Sequence, residues 1–329
     1  MLDLSKLSDV GLACAYMDVL PRDATYAAFH MKRCVTKHEI VTNNGKKTRI
    51  VYAPNRLLRW LQGQIRVAYL SQVPRHPNAH GFVSGRGCAS NATAHIGDLE
   101  LMVNIDLKDF FPSISAKRIF GLWRTVFGLN DQVAAVFTKL VTFDDHLAQG
   151  FLTSPDLANI ISWRLDKRLA GFAKTAGLSY TRYADDLTFG SEKWRGDARR
   201  LVDAVRKIVV DEGFTVNEKK VAIMRRGRRQ KVTGLVVSAG GVNVPRRLRK
   251  LIRAACHHWP QQTPERRASI VGYLTWINSV DPEFVTEMRK DIAEAEASAD
   301  TRTWARAVSH RPFAHDVKSL SSPRGKHVD

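Results

Sequence analysis

The 329 residues predict an α+β fold, an antiparallel sheet with helices on one face followed by a helical C-terminal region. Three observations point there. Strand-like apolar runs and stretches of helical periodicity follow one another in the order β-α-α-β-β-α-β from about residue 100 to 237. "SYTRYADDLTFGS", Ser179 to Ser191, reads as two apolar strands around a tight turn. From Pro245 to about Ala297 only helical spacing remains, with breaks near Pro260 and Asp281 that suggest three helices.

Residues 1–30 read as one helix plus a connection. "KKTRIVYAPN" (Lys46 to Asn55) alternates as a strand and stops at a Pro-Asn turn. Leu57, Leu61, Ile65 and Ala68 line one side of a helix, and a Gly-rich loop, "AHGFVSGRGCASNATAHIG", follows it. "ELMVNIDLKDFF" (Glu100 to Phe111) is a buried strand ended by Pro112. Ser115 can cap the next helix, whose apolar face is Ile119, Trp123, Val126 and Phe127. A long helix starts at Ser154-Pro155 and runs to about Phe172, with Leu157, Ile161, Leu165 and Leu169 in one stripe. After the strand–turn–strand come a helix from Ala198 to Glu212 and short strands near Lys220 to Met224 and Val232 to Val237. The polar end of the chain is expected to be disordered.

Composition narrows the function. No apolar run is long enough for a membrane helix, and the N-terminus lacks the basic start and cleavage site of a signal peptide. Cys14, Cys34, Cys88 and Cys256 are scattered, without a C-x-x-C pair. This argues against a zinc site or a disulfide framework and fits the cytoplasm. The formal net charge is +19, which attracts polyanions, nucleic acid above all. Lys219 to Pro264 holds twelve Lys and Arg and no acid, densest at "RRGRRQK" (Arg225 to Lys231) and "RRLRK" (Arg246 to Lys250). Such a stripe suits a phosphate backbone.

Against this basic background, the adjacent Asp185 and Asp186 need a reason, because neighbouring carboxylates repel. Asp106 stands at the end of an apolar strand, where Asp is unfavourable. If the two elements are neighbours in one antiparallel sheet, Asp106 and Asp185 converge at its edge. Carboxylates gathered at one point suit hard divalent cations such as Mg²⁺, which take oxygen ligands and accept substrate phosphates. Two such ions support in-line phosphoryl transfer, the chemistry of a nucleotidyl polymerase.

These motifs resemble those of a reverse transcriptase, and within that group a bacterial retron reverse transcriptase, over roughly residues 46 to 280. "YADD" and "NIDLKDFFPSI" look like the two acidic motifs of a polymerase palm. "QGFLTSPDLANI" (Gln149 to Ile160) is similar to the Q-G-x-x-x-S-P motif beside the incoming nucleotide, although Phe151-Leu152-Thr153 departs from the smaller residues of many relatives. "NEKKVAI" is similar to the later palm motif, and "HGFVSGRG" resembles a fingers segment. "NATAHIG" (Asn91 to Gly97) and "VTGLVV" (Val232 to Val237) resemble two elements typical of retron enzymes. The resemblance implies a right-hand polymerase fold. Residues 1–45 would be an N-terminal helical extension, 46–100 fingers, 101–237 palm with part of the fingers interleaved, 238–297 helical thumb, and 298–329 a disordered tail.

By the same resemblance Asp106 and Asp185 are metal ligands with Asp186 assisting, and the Leu107 carbonyl completes one site for two Mg²⁺ ions, Mn²⁺ being a possible substitute. Phe111 is the steric gate against a ribose 2′-hydroxyl, with Phe110 in the core. Lys47 and Arg49 grip the triphosphate, Asp109 and Gln149 adjoin the nucleotide, and Lys220, or its neighbour Lys219, meets the leaving pyrophosphate. Asn217 fixes that loop. Arg228, Arg229, Arg246, Arg249, Lys250 and Arg253 would track RNA phosphates, and Asn91, His95 and Thr233 would contact a structured RNA.

The implied function is reverse transcription of part of a cognate structured noncoding RNA from dNTPs. Priming from a guanosine 2′-hydroxyl would give branched RNA–DNA, msDNA, within an anti-phage defence system that includes an effector protein. The alternatives are another small reverse transcriptase, of the group II intron or diversity-generating type, and a catalytically silent RNA-binding scaffold. Ser154-Pro155 stands where diversity-generating enzymes usually carry Ser-Gln, and the intact Asp106, Asp185 and Asp186 argue against a silent scaffold.

Overall fold

A computed structural model describes residues 9–42 and 47–299. Asp9 caps α1 (Val10–Tyr16) by accepting from the Leu12 N–H at 2.8 Å, and Pro21 opens α2 (Pro21–Phe29). The single helix expected here is therefore two, divided at Asp18, whose φ is 55°. One turn, α3 (Met31–Cys34), leads into β1 (Val35–Thr42), which pairs antiparallel with β2 (Lys47–Pro54). The sequence reading missed β1 because Thr36 to Val41 are all exposed, so the strand is defined by its partner rather than by a buried face.

Asn55 caps α4 (Arg56–Ala68), which buries Leu58, Leu61 and Ile65. A short α5 (Cys88–Thr93) precedes β3 (Leu101–Asp106), and Ser115 caps α6 (Ala116–Thr125) as the sequence indicates. Ile119, Trp123 and Phe127 are buried, but Val126 is 52% exposed because it is the C-cap, where the helical stripe ends. The sequence reading left α7 (Asp131–Val141) unassigned; Asn130 caps it, and a two-residue hairpin, β4 (Thr142–Phe143) and β5 (His146–Leu147), follows. The long helix expected from Ser154 is broken at Ser162 into α8 (Ser154–Ile161) and α9 (Trp163–Thr175).

The central sheet contains β6 (Ser179–Tyr183) and β7 (Asp186–Ser191), followed in the chain by α10 (Ala198–Asp211) and β8 (Ala222–Arg225). Its strand order is β6-β7-β3-β8, every neighbour antiparallel. The period of two in β3 divides the interior. Leu101, Val103 and Ile105 enter the main core with the helices, while Met102 joins a second core on the opposite side. β3 is thus covered on both faces, which explains its unbroken apolar character.

The second core belongs to the C-terminal part. Its small sheet comprises β9 (Lys231–Val232), β10 (Leu235–Ser238) and β11 (Gly241–Asn243). The single strand expected over Val232–Val237 folds back at Thr233 and Gly234, with φ of 46° and 86°. Two successive left-handed residues are the signature of a hairpin turn whose twist matches its strands. Helices α11 (Arg246–His257), α12 (Pro264–Asn278) and α13 (Pro282–Ala299) complete this part. From residue 300 the expected tail lies outside the described residues.

Candidate active site

The β6–β7 turn is two residues long, Ala184 and Asp185, closed by the pair Tyr183↔Asp186. Ala184 has φ 55°, an unfavourable conformation for an L-residue that persists only when its surroundings enforce it. In the neighbouring strand Asp106 lies directly opposite Asp186, and the Leu107 N–H donates to the Asp185 carbonyl at 2.8 Å. Register therefore brings Asp106, Asp185 and Asp186 to one end of the sheet.

Their charges interact. Burial, then the Asp106 charge, raises the Asp185 pKa above the usual carboxylate range. Burial, then Asp185 and Asp106, pushes Asp186 up to about 7. Asp106 is 5% exposed, and both its oxygens are held: Asn217 Nδ2 donates to Oδ1 at 2.9 Å and Lys220 Nζ lies 2.5 Å from Oδ2. The Asn217 N–H also donates to the Asp106 carbonyl at 2.8 Å. Lys219 makes no such contact with Asp106 among the described residues.

Among the described residues no three His, Cys, Asp or Glu side chains form a ready-made metal cage. The donor set fits a hard divalent cation all the same. It offers carboxylate oxygens whose mutual repulsion resists ionisation, and a nearby positive charge relieves that repulsion.

What enforces the turn is a network the sequence reading did not single out. Arg182, fully buried on β6, donates through Nε and Nη2 to the two oxygens of buried Asp166 at 2.8 and 2.7 Å. Its Nη1 reaches the Ala184 carbonyl at 3.1 Å, and Nη2 the Asn159 Oδ1 at 3.1 Å. Tyr180 donates to Asp166 at 2.8 Å, so the buried pair has further polar partners. Burial works to lower the Arg182 pKa, but Asp166 overrides it and the guanidinium is held charged. Asn159 also donates to the Gly81 carbonyl at 3.0 Å. Gly81 is required where it stands, since a Cβ there would lie 2.4 Å from the Ala184 nitrogen. One signal was there to be read: an Arg in the middle of an apolar strand, like Asp106 at the end of one, needs a partner.

Around this core the nucleotide-pocket residues sit as follows. Lys47 opens β2, and its side chain lies outside the described residues; Arg49 on the same strand is exposed. The Gln149 carbonyl accepts from the Tyr52 N–H at 2.8 Å, which ties the Gln149 loop to β2. Asp109 is exposed in a left-handed turn, φ 47°. Phe110 is buried against Phe214 with centroids 5.7 Å apart, whereas Phe111 is half-buried.

The RNA-contact expectations divide. Arg228 and Arg229 are exposed in the loop after β8, and Arg246 and Lys250 are exposed on α11. Arg249 and Arg253 instead pair with acids returning on or just before α13, Asp281 at 2.9 Å and Glu287 at 3.0 Å. Both guanidiniums also lie over Phe284. The acid-free run in sequence did not foresee acids supplied from elsewhere in the fold. Asn91 and His95 are buried rather than on the surface. His95 meets Ser179 Oγ at 2.9 Å and Thr181 Oγ1 at 2.7 Å, binding α5's connection to β6. These two are internal rather than RNA-facing, because α5, which carries Asn91, packs on β6 and the small sheet, and His95, just past the end of α5, is bonded into β6. Thr233 is half-buried at its hairpin turn and donates to the Cys88 carbonyl at 3.3 Å.

Comparison with known proteins gives a consistent picture. A family model for reverse transcriptase (RNA-dependent DNA polymerase) matches residues 37–272. The retron Ec86 reverse transcriptase of Escherichia coli is 34% identical over 279 residues, 85% of this chain and 84% of that protein. The retron Mx162 reverse transcriptase of Myxococcus xanthus is 34% identical over 312 residues, 83% of this chain, and the match spans 64% of the relative's length. Among solved structures, a foamy viral protease-reverse transcriptase in complex with RNA/DNA hybrid overlaps with a TM-score of 0.45 at 14% identity, covering 81% of this chain and 33% of that one. That overlap is too loose to bear on function.

Proposed function

The chain belongs to the retron reverse transcriptases, and from that premise we propose how it polymerises and what it copies. It is an RNA-directed DNA polymerase with the α+β right-hand fold of that family, and nucleic acid is its partner. In the proposed reading Asp106, Asp185 and the Leu107 carbonyl hold two Mg²⁺ ions, with Asp186 alongside and Mn²⁺ as a substitute. When bound, such ions activate an attacking hydroxyl and stabilise the leaving oxygen of an in-line displacement. The observation that carries this is the strand register, Asp106 opposite Asp186 with Leu107 bonded to Asp185.

The remaining roles are assigned to the chain's own groups. Lys220 and Asn217 orient the Asp106 carboxylate, and the Lys220 ammonium offsets negative charge on the departing pyrophosphate. Arg49, with Lys47, grips the triphosphate by charge-assisted hydrogen bonds. Half-buried Phe111 lies under the sugar and excludes a 2′-hydroxyl, while Gln149 and Asp109 adjoin the nucleotide. Arg228, Arg229, Arg246 and Lys250 follow the backbone of a duplex, and Thr233, Arg249 and Arg253 shape the surface beside it.

The template is a cognate structured noncoding RNA. Synthesis starts from a guanosine 2′-hydroxyl of that RNA, the product is branched RNA–DNA, and the enzyme acts in the cytoplasm with an effector protein in defence against phage. The test expresses the chain with its flanking DNA and looks for short DNA that changes size after RNase and debranching treatment. A branched species lost in Asp185→Asn/Asp186→Asn supports the reading. Unbranched cDNA keeps the polymerase and rejects the priming. Specific RNA without any DNA favours a binding scaffold.

A further inference from the structure

Phe82 is the feature of the site that none of these roles uses. It is a large apolar side chain left 46% exposed, and its backbone has φ 59°, a left-handed conformation that bulky residues avoid. Neither property is forced by sequence, since a glycine or a polar residue would satisfy the same turn without strain. The loop is nonetheless pinned. The His80 N–H donates to the Arg182 carbonyl and the Arg182 N–H to the Asn78 carbonyl, both at 2.8 Å. Gly81 packs on Ala184 and is held by Asn159. Arg86 Nη1 binds the carbonyls of His76, Pro77 and Ala79. The ring is therefore presented rigidly, on the residue after the glycine that packs against the aspartate turn.

Its neighbours give it a direction. Phe214, Phe110, Phe111 and Phe82 form a row of rings with successive centroids 5.7, 5.4 and 6.0 Å apart. The row runs from the core, where Phe214 is 3% exposed, to solvent at Phe82. Phe82 enters from the loop paired with the β6 edge, whereas Arg49 and Gln149 belong to β2 and the loop tied to it. It thus approaches from an element other than those proposed to grip the triphosphate. An aromatic ring fixed and exposed beside a nucleic-acid site is a stacking platform.

We propose that Phe82 is a positioning residue that stacks on the template base opposite the incoming nucleotide. This rests on the reading of Phe111 as the floor under the incoming sugar. Stacking accepts any base, so Phe82 would align the template without reading its sequence.

The test uses the full chain with an RNA template and DNA primer, measuring the Kd of the primer–template and the KM and kcat for the next dNTP. Phe82→Ala and Phe82→Gly are expected to weaken binding of a template with an unpaired base at the copying position by about tenfold. Phe82→Trp is expected to restore it. On a template abasic at that position, wild type and Phe82→Ala should bind alike. Phe82→Gly should not lower Tm, because it relieves the left-handed strain. An equal Phe82→Ala penalty on intact and abasic templates, failure of Trp to rescue, or a change confined to the dNTP KM would overturn the proposal. Phe111→Ala, run alongside, reads the sugar pocket separately. Unchanged ribonucleotide discrimination there removes the gate reading, while the template-base coupling of Phe82 is still decided by the abasic comparison.

Discussion

At the end of β3 and β7, Asp106, Asp185 and Asp186 are crowded into a partly buried corner, where burial and the neighbouring carboxylates make Asp185 and Asp186 resist ionisation. On α11 the opposite arrangement holds: Arg246 and Lys250 stand apart in solvent, and Arg249 and Arg253 are tied down by Asp281 and Glu287. The first corner concentrates like charge and surrounds it with a fixed polar frame built on Arg182. The second spreads charge over an apolar core of Leu248, Ile252 and Phe284. Concentrated, desolvated charge demands a specific counter-charge. Dispersed, solvated charge attracts any polyanion and is weakened by salt. In the proposed reading, one molecule thus separates chemistry from grip.

The strongest break in this contrast removes a carboxylate. Asp106→Asn is expected to lower primer extension at least about a hundredfold, since even outer partners of metal ligands are worth about 10–100-fold. Tm should hold, and steady-state extension rates check the first point. A folded variant that still extends primers at the wild-type rate would sink the metal-ligand role of Asp106.

Next comes the frame. Arg182→Met leaves Asp166 buried and unpaired, and should destabilise the protein by about 3–5 kcal/mol in urea unfolding. Arg182→Met with Asp166→Leu should recover part of that loss, because an apolar pair carries no unpaired charge. If the double variant is no more stable than the single, the frame depends on its hydrogen bonds to Ala184 and Asn159 more than on the ion pair.

A smaller effect sharpens the boundary between the two regions. Burial, then His80, depresses the His95 pKa to about 4. The unfolded chain therefore binds the proton first as pH falls. The stability tied to neutral His95 is present above about pH 6.5 and is lost toward pH 4, amounting to about 2 kcal/mol by pH 5. Unfolding curves at pH 7 and 5 for wild type and His95→Gln should show a smaller pH difference in the variant.

The least drastic change tests the grip. Arg246→Ala with Lys250→Ala should weaken RNA binding and reduce the magnitude of the log Kd against log salt slope by about 0.7–0.9 for each phosphate no longer neutralised. Extension at saturating primer–template should change little. An unaltered slope would show that these two cations do not meet phosphate.

Much of the site was legible because it is written in short runs. "NIDLKDFF" and "YADD" each place a carboxylate at a strand end, and an alternating strand shows its ends by local pattern. Ser115 announces a helix start for the same local reason. Arg182 in a strand signals that it needs a partner, but Asp166 looks like an ordinary surface charge until α9 and β6 are brought together. β1 was missed because its pairing with β2, not a buried face, defines it. Arg249 and Arg253 were assigned to RNA because their acidic partners lie more than thirty residues away in the chain.

The amino-acid sequence by itself therefore determined the α+β character, the basic balance, the strand-end aspartates and the kinship they imply, since all of these reside in composition, period and contiguous motifs. Only the tertiary structure decided that Asp106 faces Asp186, that Lys220 rather than Lys219 meets Asp106, and that Asn91 and His95 turn inward. It also decided which cations remain for a ligand and that Phe82 is held exposed beside Phe111. These are matters of strand register and long-range pairing, and a one-residue slip, invisible to local periodicity, would send every one of those strand side chains to the other face.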